Sequence, residues 1–333
     1  MSIVVLSHHS RKEYLKEAIE SAINQTLPRS LYEIIVVKDY EDLELEKFFL
    51  EYGVINILSD DSFYDYLSNA INASKAEIIS FLDDDDLFLS EKLAKVQEVF
   101  KDNRVNVYRN QNFFFSQDIN IVEYNERHLK EFNSIFDSHL GLVNIELFNK
   151  NPNLVEYLSN NSSISIRKKT LEIYLKIMKK NKAGNGFDNI LILIGLETGL
   201  FIDNNILTKE RIHRNNLYGF TLSGSEFANR YYWQLRAYLL SVSSMMNDTN
   251  VVNAGIIVKF TYLNVLIRIR ILNIQNIKDS FKWKDYFIFV FTMILTYKKF
   301  RFYYLACLIK PERLRIAVSK FYFSHIFKPI LPP

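Results

Sequence analysis

Apolar positions follow two alternating rhythms along the first two hundred residues. Ile3 to Leu6 is a short, β-branched apolar run of the kind that makes a buried parallel strand. Arg11 to Asn24 then carries apolar residues at helical spacing through Tyr14, Leu15, Ala18, Ile19 and Ala22. Pro28 closes that pattern, and Glu33 to Val37 is a second buried run whose end passes into the polar segment Lys38 to Asp42. The series continues with a helix over Leu43 to Tyr52, a strand over Val54 to Leu58, a helix over Tyr64 to Ser74 and a strand over Ile78 to Leu82. This alternation predicts an α/β fold, a mostly parallel sheet flanked by helices, with ligands at the C-terminal strand ends where the loops gather.

Past the fourth strand the pattern is less regular. Ser90 is the expected N-cap of a helix running through Phe100, with Glu91 in its first turn. Arg104 to Tyr108 and Asn112 to Ser116 read as two further strands, and the polar stretch Asn120 to Asn153 reads as irregular. A strand over Ser162 to Ile166, a helix over Lys168 to Lys180, a turn at Ala183 to Gly186 and an apolar helix over Asp188 to Leu196 follow. Beyond Phe220 turn signals thin out, and apolar or amphipathic stretches run over Tyr231 to Met246, Val251 to Ile274 and Tyr286 to Ile309. The expected division is an α/β domain over 1–220 and a helical C-terminal region over 221–333.

Composition narrows the classes. A chain of 333 residues that is 48% hydrophobic can fill a real core, so disorder is not expected. A formal net charge of +3 gives no reason to expect nucleic acid as a partner. The single cysteine, Cys307, allows no internal disulfide and no thiolate zinc site, and fits a reducing, cytoplasmic compartment. Ile3 to Leu6 lacks the charged flank, length and cleavage site of a signal peptide. The apolar run Tyr286 to Tyr297 falls short of the roughly 20 residues that a bilayer span needs.

Charge is concentrated late. Between residues 281 and 320, Lys282, Lys284, Lys298, Lys299, Arg301, Lys310, Arg313, Arg315 and Lys320 face only Asp285 and Glu312, a local charge of +7. Trp283, Phe287, Phe289, Tyr303 and Phe321 are among the aromatics interleaved with them. Such helices suit the interfacial layer of an anionic membrane, and the alternative is a helical oligomer interface.

The chemistry centres on Asp83 to Asp86, four consecutive aspartates at the end of a buried strand. Like charges so close raise one another's pKa unless a cation neutralises them, and hard oxygen ligands suit Mg²⁺ or Mn²⁺ completed by substrate phosphates. The alternative is a solvated acidic loop or a helix cap.

Three spaced segments carry a resemblance: IVVLSHHSRKEYLKEAIESAINQT, EIIVVKD and AEIISFLDDDDLFLSEKL. Together they resemble glycosyltransferase family 2, whose members share the GT-A fold. The resemblance implies inverting transfer of a hexose from a nucleoside-diphosphate sugar, such as GDP-mannose or UDP-glucose, with Mn²⁺ or Mg²⁺. Asp83 and Asp85 take the family's D-x-D positions with Asp86 beside them. Asp85 is then the expected metal ligand, and Asp83 and Asp84 belong to the nucleotide-sugar site. Ser7, His8, His9 and Arg11 fall in or beside the loop that holds the nucleoside, and Asp39 matches the carboxylate that contacts the base. His8 and His9 replace the family's usual Thr and Tyr, and Lys38, Tyr40 and Glu41 replace its Asp-Gly-Ser context, so the base is left open. Read as strand neighbours, the two histidines point to opposite faces, so only one is expected to face the ligand.

Asp188 resembles the family's catalytic base, with Phe187 where members often have Glu; the alternative is a carboxylate that only favours its helix's N-terminus. LTKERIHRNN resembles the closing loop over the donor phosphates, which makes His213 a candidate metal ligand, Arg211 a diphosphate contact and Arg214 a weaker candidate. The expected acceptor is a lipid-linked sugar or a glycan at the cytoplasmic membrane face, with a homo-oligomer also open. The competing functions are a non-catalytic nucleotide-sugar-binding scaffold of the same fold and a nucleotidylyltransferase. The last has against it the lack of a glycine-rich phosphate loop near the N-terminus.

Overall fold

The computed structural model describes residues 1–59, 62–117, 120–152, 154–179, 186–213, 235–236, 238–246 and 251–271. Strands β1 (Ser2–Ser7), β2 (Glu33–Lys38), β3 (Ile55–Leu58) and β4 (Ile78–Asp83) alternate with helices α1 (Lys12–Ile23), α2 (Leu43–Glu51) and α3 (Phe63–Ala73). Strand β5 (Leu87–Phe88), helix α4 (Lys92–Val99), strand β6 (Val107–Phe115) and helix α5 (Val122–Phe136) come next. Then follow β7 (Gly141–Leu142), α6 (Glu146–Lys150), α7 (Leu154–Tyr157), β8 (Ile164–Arg167), α8 (Lys168–Lys179), α9 (Phe187–Thr198) and β9 (Leu200–Arg211).

The strands form one sheet in the order β3-β2-β1-β4-β8-β6-β9-β5, with β7 also paired to β9. β1 to β4 are mutually parallel, and β6 and β9 run in their direction; β8, β7 and β5 are antiparallel to their neighbours. β1 lies between β2 and β4, so the chain's connections leave it in opposite directions and open a crevice at its C-terminal end.

The apolar strands are buried on both faces. Ile3 and Val5 of β1 and Ile34 and Val36 of β2 pack with Leu15 and Ile19 of α1 and Leu45 and Phe49 of α2. Val4, Ile35 and Val37 point the other way, into a larger core with Leu67 of α3, Leu171 of α8, and Ile190 and Leu193 of α9. Leu239 and Val242, and Ile257 and Val258 of a helix Gly255–Ile271, complete that core.

Four local expectations are corrected. The helix expected from Ser90 starts at Lys92, and its N-cap, Glu91, makes no side-chain capping bond. The two strands expected between 104 and 116 are one strand, β6, whose partner β9 bulges opposite Asn110 to Asn112. The stretch read as irregular holds the fifteen-residue helix α5, whose inner face is carried by Phe132, Phe136 and the buried polar Asn125. Asn125 donates to the Phe114 carbonyl and accepts from its amide, so a polar residue does the docking and breaks the apolar rhythm. The segment LTKER, expected as a loop, belongs to β9. The expected boundary near 220, Arg214 and the basic aromatic region 281–320 lie outside the described residues. Among the described residues no helix is long and apolar enough to cross a membrane.

Gly199 starts the turn from α9 into β9 at φ +126°, and its carbonyl accepts from Asn106 at 2.9 Å and Val107 at 3.0 Å. A Cβ there would stand 2.1 Å from the Arg104 carbonyl oxygen. Gly199→Ala is therefore expected to destabilise the protein by about 2–4 kcal/mol, read as a lower urea midpoint at unchanged m-value.

Candidate active site

β4 ends in the acidic quartet at the crevice beside β1, and a tight turn, with the Asp86 amide 3.1 Å from the Asp83 carbonyl, folds the four side chains together. Asp84, Asp85 and Asp86 are buried. Asp84 faces back to the β1 loop, where the His8 amide donates to it at 3.1 Å and Arg11 forms an ion pair at 2.8 Å. Asp86 accepts from the Arg211 amide at 2.9 Å, from Ser162 Oγ at 2.7 Å and from Asn160 Nδ2 at 3.3 Å. Asp85 meets His213 Nε2 at 3.0 Å and Arg11 at 3.5 Å. Asp83 accepts from Asn161 Nδ2 at 3.3 Å, and its amide donates to Ser162 Oγ at 2.9 Å.

Burial pushes Asp83 up to about 7, with the Asp85 charge adding and Arg11 opposing. Asp84 is also pushed up to about 7 by burial, and Asp86 well above the carboxylate range by burial and then Asp85. Asp85 moves down: burial opposes ionisation, but the His213 hydrogen bond and the charge of Arg11 prevail. Carboxylate oxygens of Asp83, Asp85 and Asp86 lie within 4.8 Å of one another. A hard divalent cation fits this donor set: it would relieve the repulsion that raises Asp83 and Asp86, and the imidazole beside Asp85 is acceptable to Mn²⁺.

The sequence profile of glycosyl transferase family 2 matches residues 2–161. Residues 2–161 are a family 2 glycosyltransferase domain. No curated protein matches the sequence. Among solved structures, residues 1–349 of S. aureus TarS in complex with UDP-GlcNAc are similar, at TM-score 0.59 and 12% identity over 97% of this chain and 91% of that one. The longer TarS structure gives TM-score 0.53 at 12% identity over 96% of this chain, which spans only 53% of it. The mannosyltransferase PcManGT from Pyrobaculum calidifontis, in complex with GDP-Man and Mn²⁺, gives TM-score 0.50 at 9% identity over 98% of this chain and 87% of that one. The fold is GT-A.

Within the family 2 domain, the loop after β1 meets the end of β2. Asp39 accepts from the His9 amide at 2.8 Å and pairs with His8 Nε2 at 3.0 Å, and Ser7 Oγ lies 2.9 Å from the Tyr40 hydroxyl. The two histidines are not strand neighbours: β1 ends at Ser7 and His9–Arg11 is a 3₁₀ turn, so the opposite-face expectation is replaced by two exposed rings on one turn. The His9 ring instead meets Tyr40 edge-on, with centroids 5.8 Å apart.

Asp188 is buried in the first turn of α9 after Gly186, whose φ is +74°, and its Oδ1 accepts from the Asn189 amide at 2.8 Å. Phe187 wedges against Phe81 of β4 at 5.2 Å and Phe63 at 5.8 Å between centroids. That packing seats the start of α9 beneath the end of β4, close enough for the Asp188 charge to raise Asp83. Arg211 is enclosed: Nε donates to the Asp85 carbonyl at 2.8 Å, the guanidinium pairs with Glu17, and it lies over Tyr14 at 4.8 Å and Phe115 at 4.4 Å. Its observed part is thus to hold the acidic turn after β4.

Sequence reasoning missed the NNSS segment before β8, which supplies Asn160, Asn161 and Ser162 to the quartet, and missed Glu210 on β9. Three small polar residues following one another just before a buried strand was the available signal. Glu210 carried none, since its segment LTKER was read as a loop.

A carboxylate whose folded pKa is raised above its unfolded value binds its proton more tightly when folded, so stability falls as pH rises from about 4 to about 7 through Asp83 and Asp84. Without metal, Asp83→Asn is expected to raise stability at pH 8 by on the order of 1–3 kcal/mol and leave it little changed near pH 4. Mn²⁺ should stabilise the wild type more at pH 8 than at pH 5 and the variant less at both, as thermal melts with Mn²⁺ or EDTA would report.

Proposed function

We propose that the chain is a metal-dependent inverting glycosyltransferase, moving a hexose from a UDP- or GDP-sugar to a lipid-linked or glycan acceptor. The observation that carries this reading is the cluster of Asp83, Asp85 and Asp86 oxygens at the end of β4, bordered by His213 and with Asp188 close by. The similar structures hold UDP-GlcNAc in one case and GDP-Man with Mn²⁺ in the other, which supports a nucleotide sugar and a divalent ion here.

Asp39, Ser7 and the His8–His9 turn line the crevice at the ends of β1 and β2 and receive the nucleoside. Asp83, Asp85, Asp86 and His213 would hold the metal, whose contribution when bound is Lewis-acid stabilisation of the diphosphate leaving group. Arg11 keeps a fixed positive charge beside the same acids. Asp188 takes the proton of the acceptor hydroxyl as that oxygen attacks the anomeric carbon. The basic, aromatic composition of 281–320 supports a peripheral site on the cytoplasmic face of the membrane, where a lipid-linked acceptor presents its headgroup.

With Mn²⁺ and a panel of UDP- and GDP-sugars, Asp188→Asn is expected to keep donor binding by thermal shift and to lose transfer to lipid acceptors by about 10²- to 10⁴-fold. Asp85→Ala should lose the Mn²⁺-dependent part of donor binding. Full transfer by Asp188→Asn would remove the base, and Mn²⁺-dependent binding by Asp85→Ala would remove the ligand. A wild type that binds donors and transfers nothing would favour the scaffold reading.

A further inference from the structure

One carboxylate beside the acidic quartet has no part in the scheme above. Glu210 lies near the end of β9 and is half-buried. Its Oε2 accepts from Asn112 Nδ2 at 2.7 Å, and its other oxygen has no hydrogen-bond partner among the described residues. Asn112 is buried and cannot turn over, because its Oδ1 accepts from Arg109 Nη2 at 2.8 Å. Arg109 is held in turn by the Leu158 carbonyl at 3.3 Å, Gln111 Oε1 at 3.0 Å and the ring of Phe132 at 5.0 Å.

A guanidinium only donates, so Asn112 must show it the carbonyl oxygen and keep the amide for Glu210. The polarity of the chain Arg109–Asn112–Glu210 is therefore set from its buried end, and the remaining oxygen of Glu210 is left for a ligand: burial, then the charges of Asp83 and Asp85, push Glu210 up to about 8, so that oxygen becomes a charged acceptor once a cation at those acids lets the group ionise. Asp83, Asp85 and Asp188 all act on its charge, so Glu210 stands within electrostatic reach of the acids assigned to the diphosphate end and of the acid assigned to the acceptor hydroxyl. The hexose being transferred must occupy the space between those two groups, and each of its hydroxyls can donate a hydrogen bond to a carboxylate.

Resting on the glycosyltransferase reading, we propose that Glu210 binds a hydroxyl of the transferred hexose and is a specificity-determining residue of the donor site, oriented by Asn112 and Arg109. In Glu210→Gln the carboxamide oxygen takes the Asn112 bond and its NH₂ faces the sugar, so the hydroxyl loses its charged acceptor and can only accept from a neutral NH₂. Glu210→Asp keeps the charge but withdraws it by one methylene.

The test is equilibrium binding with Mn²⁺ of UDP-GlcNAc, UDP-glucose and GDP-mannose, each beside its free nucleoside diphosphate, UDP or GDP. For the sugar nucleotide that the wild type binds most tightly, Glu210→Gln should lose about tenfold or more in affinity while the free diphosphate binds unchanged. Glu210→Asp should show the same split, and it carries the test if the glutamine variant does not fold. Unchanged sugar-nucleotide affinity overturns the proposal, and so does an equal loss for both ligands, which marks Glu210 as a structural counter-charge to Arg109. A wild type that binds none of the three sugar nucleotides defeats the donor reading itself, and this proposal with it.

Discussion

The structure depends on gathering four carboxylates at the end of one buried strand. Desolvation and mutual repulsion both oppose the arrangement, and it stands because donors converge on it from three separate parts of the chain. The turn after β1 contributes the His8 amide and Arg11, the segment before β8 contributes Asn160, Asn161 and Ser162, and the end of β9 contributes the Arg211 amide and His213. Each of those segments is fixed by the sheet order, so the fold and the site are one network.

A second buried polar group underlies the same place. Lys92 of α4 is fully buried and bonds Asn110 Oδ1 at 2.5 Å, the Ser162 carbonyl at 2.7 Å and Thr208 Oγ1 at 3.2 Å. Burial drives its pKa well below the usual lysine value, with the nearby Arg109 charge adding and Asp86 opposing. It ties β6, β9 and the NNSS turn into one piece directly behind the acids, and it is a structural cross-brace by its contacts. Aromatic packing of Phe187 on Phe81 performs the matching service on the other side, by seating α9.

The parallel first half was open to reading from the sequence because β1, β2 and β4 are buried on both faces and its helices on one, so each rhythm is clean. The quartet and Asp188 stood out because acids at the ends of apolar elements break that rhythm. The second half was harder to read for a physical reason. In α5 and β6 the inward positions include Asn125, Arg109, Asn110, Gln111 and Asn112, so the pattern of apolar residues no longer marks the buried face. Glu210 and Arg211 looked like loop residues because their strand is half polar. Two of those polar inward positions lead towards the site, Asn112 through Glu210 and Asn110 through Lys92, so features that hid the secondary structure also brace the acids.

The bulge on β9 has a consequence for how this chain can vary. β6 advances from Asn110 to Asn112 while β9 advances from Asp203 to Thr208, an odd surplus of residues on one strand. Side chains alternate along a strand, so parity decides which of two neighbours looks inward. Adding a single residue within 204–207 would exchange the faces of everything downstream and present Lys209 where Glu210 now stands, and removing one would present Arg211 there; changes in pairs would leave the phase intact. Length variation at this point is thus quantised in twos, a rule that bears on which insertions a descendant of this sequence can carry and still keep its acids facing one another.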